Sequence, residues 1–172
     1  MRTENSFLGL TVDVTFDDMT TPDIVMFPGG IGTRELMRDS SVLDWLVTAH
    51  ATSRFTTSVC TGALVLGAAG LLDGLTATTH WSAFDALKKT GATPVSARVV
   101  EHLDKRIITA AGVSSGIDMA LRLVEILFDR TAAEAAQLMI EYDPQPSFDA
   151  DSTAKASPEV MERVAAYALQ RD

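Results

Sequence analysis

Apolar and polar positions alternate over residues 8–16, where Leu8, Leu10, Val12, Val14 and Phe16 share one face, the period of a half-buried strand. Pro22 then leads into Asp23-Ile24-Val25-Met26-Phe27, a short apolar run of buried-strand type. The run stops at Pro28-Gly29-Gly30-Ile31-Gly32-Thr33. Three glycines in four positions mark a backbone that turns tightly or approaches something closely. Next the pattern predicts a helix over residues 41–52, with Val42, Leu43, Leu46 and Val47 on one face and Trp45 nearby. A short strand over 55–59 and a helix of small residues over 61–69 follow. Residues 75–79 read as a further strand, 82–89 as a helix with Gly91 as its cap, and 95–101 with 106–111 as a strand pair turned through Asp104-Lys105. The glycine- and serine-rich stretch 112–116 opens a helix that runs through Phe128, with Ile117, Leu121, Val124 and Phe128 at helical spacing. Thr131 and Glu134 predict a capping box for a helix to about Tyr142. A surface excursion from Pro144 to Ala156 precedes a terminal helix begun by Ser157-Pro158. Its Val160, Met161, Val164, Ala168 and Leu169 form a stripe expected to pack on the sheet or, alternatively, on a second copy. Strands alternating with helices define an α/β fold with a mostly parallel sheet and helices on both faces.

Composition narrows the function classes. The 172 residues, 47% hydrophobic and 22% charged, suit one domain over 1–172, with a C-terminal extension and helix from about residue 143. They exclude a disordered or fibrous chain. Fourteen basic against 23 acidic residues give a net charge of −9 without basic runs, which argues against nucleic acid or an anionic membrane as partner. No apolar run approaches the roughly 20 residues that cross a bilayer. The opening Met1-Arg2-Thr3-Glu4-Asn5-Ser6 lacks an apolar signal core, so a soluble cytoplasmic protein is the expectation. One cysteine excludes an internal disulfide and a thiolate-rich metal cluster. The three histidines lie on separate elements without close ligand spacing, so no metal site is expected.

Cys60 is the sharpest chemical feature. In Ser58-Val59-Cys60-Thr61-Gly62-Ala63 it stands where a strand turns into a helix, a junction that presents a side chain at the carboxyl edge of the sheet. The helix N-terminus favours a thiolate there, and the Thr61 N–H faces the same point. The bland alternative is a lone cysteine buried as a small hydrophobe. The glycine loop also follows a strand, so Gly29 and Gly30 are expected beside Cys60, with the Gly30 and Thr61 amides forming an oxyanion-type cradle. Alternatively the loop is an ordinary strand-to-helix turn. It carries neither the lysine of a P-loop nor the spacing of a dinucleotide fingerprint. His80, at the end of a strand, either orients a ligand and stabilises the thiolate or simply satisfies a hydrogen bond. His50 and His102 read as surface residues, Asp118 as a partner of its own helix dipole, and Trp45, Trp81 and Met119 as core or pocket lining.

Taken together, Pro28-Gly29-Gly30 after a strand, Ser58-Val59-Cys60-Thr61-Gly62, and Thr78-Thr79-His80-Trp81 resemble the ThiJ/PfpI superfamily, a relative of class I glutamine amidotransferases. Gly112-Val113-Ser114-Ser115-Gly116-Ile117-Asp118 and Glu141-Tyr142-Asp143-Pro144-Gln145-Pro146 resemble its isonitrile hydratase branch. The resemblance implies a flavodoxin-like fold, a homodimer and a small-molecule isonitrile as substrate. It also implies Cys60 as nucleophile, the Gly30 and Thr61 amides around the substrate, His80 near the thiol, and no cofactor. The implied reaction converts the isonitrile to an N-substituted formamide. The family's acidic residue, in the loop after its first strand, has no counterpart here: only seven residues precede Leu8, and Asp13, Asp17 and Asp18 lie in or after a later strand. The chain therefore reads as lacking an N-terminal strand-helix-strand unit. A truncated non-catalytic paralogue, or a ligand-binding or sensing module, is the second reading. A glutaminase triad is not matched, because no Glu stands beside His80.

Overall fold

In the computed structural model, which describes residues 8–169, the chain forms two compact units, one ending at Glu134 and one beginning at Ala135. The first unit is built on a four-stranded sheet. Its strands are β1 (Ile24–Phe27), β2 (Phe55–Val59), β5 (Val99–His102) and β6 (Ile107–Ala110), in the order β1-β2-β6-β5. The β1–β2 and β2–β6 pairs are parallel, with Phe27 beside Ser58 and Ser58 beside Thr109. The β5–β6 pair is antiparallel and turns at Arg106, which takes a left-handed conformation. Two short strands, β3 (Thr76–Ala77) and β4 (Thr93–Pro94), pair separately.

Helices cover both faces of this sheet, as the alternation implied. On one face lie α2 (Ser40–Thr52), α3 (Gly62–Ala68) and α4 (Phe84–Lys88). Leu46, Leu64, Leu66 and Leu87 pack there against Val25, Phe27 and Ile107. On the other lies α5 (Ser115–Leu127), whose Met119, Leu123 and Ile126 meet Ile108, Ala110 and Val59. Burying these side chains removes large apolar area from water, the main favourable term in the fold. The helix predicted over 41–52 begins one residue earlier, because the Asp39 carboxylate caps it, accepting from the Ser41 and Val42 amides. A one-turn helix, α1 (Thr33–Leu36), closes the glycine loop.

Three expectations are corrected. Residues 8–16 do not form a strand: the stretch holds an isolated bridge at Gly9 and stays exposed. Alternation makes a strand only where a ladder receives it. Here Phe16 instead stacks on Trp45 at 4.3 Å, and Trp45 Nε1 donates to the Met19 carbonyl. The strand expected over 75–79 stops after Ala77, because the Thr78 N–H leaves the ladder for the Thr109 hydroxyl. The capping box from Thr131 is absent. Helix α6 (Arg130–Met139) starts a residue earlier, Asp129 accepts from the Ala132 amide, and Glu134 pairs with Arg130. Helix α7 (Pro158–Leu169) of the second unit starts at Pro158, and Val160 and Val164 of its stripe are exposed in the single chain.

Candidate active site

The chain must reverse between β2 and α3, and it does so on one residue. Cys60 has φ +58°, a left-handed conformation that costs a non-glycine residue about 1–2 kcal/mol. Its surroundings hold it there. The Cys60 N–H donates to the carbonyls of Ala110 (3.1 Å) and Ala111 (2.8 Å), at the end of the neighbouring strand. The Cys60 carbonyl accepts from the Thr79 hydroxyl at 2.8 Å. Strain held by a fixed surround at a strand-to-helix elbow is a mark of a functional residue. The thiol is half-buried, not sealed in the core.

The glycine loop comes to the same point. A Cβ at Gly29 would stand 2.7 Å from the Cys60 Cβ, 2.8 Å from the Thr61 nitrogen and 3.1 Å from the Cys60 Sγ, so only glycine lets β1 approach the elbow. Gly30, at φ +137°, donates its N–H to the Thr61 hydroxyl (2.9 Å), and that hydroxyl donates back to the Gly30 carbonyl (3.1 Å). Gly29, Gly30, Cys60 and Thr61 are thus brought together. The Gly30 amide is occupied by Thr61, so a ligand taking that amide must displace the hydroxyl.

His80 follows Thr79 and lies over Gly112, whose added Cβ would meet the imidazole Cδ2 at 3.4 Å. Its Nδ1 accepts from the Ser82 N–H (3.4 Å) and contacts the Ser82 hydroxyl (2.8 Å), so the neutral ring carries its proton on Nε2. Burial, and then the nearby Arg34 charge, push the His80 pKa below its ordinary value. His50 and His102 are not simple surface residues. His50 is half-buried against the Thr56 hydroxyl, and His102 Nε2 lies 2.7 Å from the Thr76 carbonyl. Burial, and then the charge of Arg106, lower the His50 pKa as well. Asp118 sits in the first turn of α5 and pairs with Arg98. Met119 is buried, while Trp81 lies exposed beside His80.

Two residues near the site were missed from sequence. Thr79 locks the elbow through a hydroxyl that no spacing rule assigns. Arg34 hydrogen-bonds the Gly30 carbonyl (3.4 Å) and the Thr33 hydroxyl (3.2 Å). Its one available signal was a cation just after a glycine loop in an acidic chain. Among the described residues, no group of three or more His, Cys, Asp or Glu is placed to hold a metal ion, and no helix is long and apolar enough to cross a membrane.

The lowered histidine pKa values predict a pH dependence of stability. Both rings take up a proton more readily unfolded than folded, so their contribution is complete above about pH 6.5 and lost as pH falls through the lowered folded values. The urea midpoint is expected to drop between pH 7.5 and pH 5.5, and the drop to shrink in His50→Gln. A flat profile for the parent chain would contradict the placement of both rings.

A cysteine held left-handed at the carboxyl end of parallel strands, flanked by a glycine loop and a helix N-terminus, defines an α/β protein with a strained strand-to-helix elbow. The sequence profile of the DJ-1/PfpI family matches residues 3–126, and the chain belongs to that family. It is 44% identical over 160 residues to the isonitrile hydratase of Pseudomonas putida, covering 93% of this chain and 69% of that protein. It is 30% identical over 141 residues to protein DJ-1 homolog A of Arabidopsis thaliana, covering 80% of this chain and 36% of that one. Among solved structures, a ThiJ/PfpI family protein from Pseudomonas syringae superposes with a TM-score of 0.86 at 41% identity, over 98% of this chain and 71% of the other.

Proposed function

We infer that this protein hydrates isonitriles to N-substituted formamides through Cys60. The observation that carries the reading is the strained elbow of Cys60, set in a chain 44% identical to an isonitrile hydratase over most of its length. An isonitrile carbon carries a lone pair and accepts a nucleophile at the same atom. In the first step the Cys60 sulfur bonds to that terminal carbon and the thiol proton goes to the same carbon, giving an S-linked thioimidate. Water then adds across the C=N bond, its hydroxyl on carbon and its proton on nitrogen. Collapse of this tetrahedral adduct breaks the C–S bond. It releases the formamide and returns the sulfur with the hydroxyl proton.

Each surrounding residue has a part. The Thr61 N–H and the Gly30 amide lie beside Cys60 and suit the polar substrate group, the second once Thr61 turns its hydroxyl away. With its pKa lowered, His80 is neutral at pH 7, and its Nε2–H serves as a donor to nitrogen or to water. The test incubates the purified chain with a neutral alkyl isonitrile and follows formamide by chromatography. Formation of formamide at a rate proportional to protein is expected. A folded sample that forms none overturns the reading in favour of a non-catalytic relative.

A further inference from the structure

Arg34 hydrogen-bonds the glycine loop beside Cys60, and in the chemistry above it touches none of the reacting atoms. Helix α1 begins at the glycine loop and puts the Arg34 guanidinium back over it. Nη1 reaches the Gly30 carbonyl and the Thr33 hydroxyl. That carbonyl also accepts from the hydroxyls of Thr33 (2.7 Å) and Thr61 (3.1 Å), so the peptide beneath the guanidinium is held in place. Arg34, like Arg38, Arg54, Arg106 and Arg163, pairs with no carboxylate among the described residues, and its guanidinium lies against the glycine loop beside Cys60. Its Nε and Nη2 donors have no partner there either. A guanidinium presents its donors as a planar fork that matches a carboxylate. Arg34 is exposed, and after burial its charge is the second cause that lowers the His80 pKa. In a chain of net charge −9, Arg34 puts a cation beside the glycine loop, where an anionic ligand group finds local attraction.

We propose that Arg34 is a specificity-determining residue that makes the Cys60 site prefer isonitriles bearing a carboxylate on the nitrogen substituent. This deepens the proposed function and rests on it. The terminal carbon meets Cys60 while the carboxylate meets the guanidinium fork. A neutral substituent finds no partner there.

The test compares isocyanoacetate with a neutral alkyl isonitrile of similar size, using the full chain. The parent protein is expected to show the higher kcat/KM for isocyanoacetate. Arg34→Met is expected to lower the ratio of the two kcat/KM values about tenfold, equivalent to about 1.4 kcal/mol, through KM for the anion. Arg34→Lys is expected to recover part of the ratio, because it restores charge without the fork. A parent protein with no preference, or a ratio unchanged in Arg34→Met, overturns the proposal. A second arm does not depend on turnover: calorimetric binding of isocyanoacetate to Cys60→Ser, with and without Arg34→Met. Loss of binding in the double variant supports the role of Arg34 even if no isonitrile is hydrated, in which case the hydratase reading alone fails. Hydration of the neutral isonitrile, with no isocyanoacetate bound by Cys60→Ser, overturns the Arg34 proposal and leaves the hydratase reading standing.

Discussion

Cys60→Ala is expected to reduce formamide production by about a thousandfold or more, because it removes the atom that forms the covalent bond to the substrate carbon. The loss is not a folding artefact. The thiol is half-buried and its backbone is held by the Ala110 and Ala111 carbonyls and the Thr79 hydroxyl, none of which depends on sulfur. Alanine at φ +58° bears the same left-handed strain as cysteine, so the urea midpoint is expected to move little. Cys60→Gly supplies the complementary reading. Glycine takes that conformation freely, so this variant is expected to be inactive yet no less stable than Cys60→Ala. Activity near that of the parent chain in either variant would remove Cys60 from the chemistry.

Gly62→Ala is expected to cost about 3 kcal/mol or more of stability, a large loss for one added methyl group. Gly62 opens α3 directly against the end of β1. A Cβ there would overlap the Phe27 carbonyl oxygen and stand 2.9 Å from the Phe27 carbonyl carbon and 3.0 Å from the Pro28 oxygen. All three are backbone atoms, so no rotamer change relieves the clash. Either β1 or α3 must move, and the contact between Gly29 and Cys60 moves with it. Gly32→Ala is the control: nothing lies within 4 Å of its added Cβ, and its φ of −55° suits alanine. Urea unfolding of the two variants measures the contrast. A Gly62→Ala midpoint equal to that of Gly32→Ala would contradict the packing of α3 on β1.

Much of the candidate site is legible in the sequence itself. Cys60 announced itself by standing between an apolar strand and a helix of small residues, and the three glycines of the loop by their density. Both signals are local, because backbone conformation restricts which residue types fit. The Thr61 hydroxyl on the Gly30 amide, the Thr79 hydroxyl on the Cys60 carbonyl and the Arg34 guanidinium over the loop were not legible. Each joins residues through space, and a threonine or arginine carries the same letter whether it caps, locks or faces solvent.

The same division runs through the fold. Residue order alone determined the alternation of strands and helices, the parallel core of β1 and β2, and the thiol at the bend, because apolar period, glycine and proline act within a few residues of themselves. Tertiary structure alone decided that residues 8–16 lie outside the sheet, that β3 ends after two residues, and that His50 is held against Thr56. Those outcomes depend on which partner offers a ladder or a hydroxyl. Such a partner is distant in the chain or competes with a nearer one, and it is the lower free energy of the whole assembly that chooses between them.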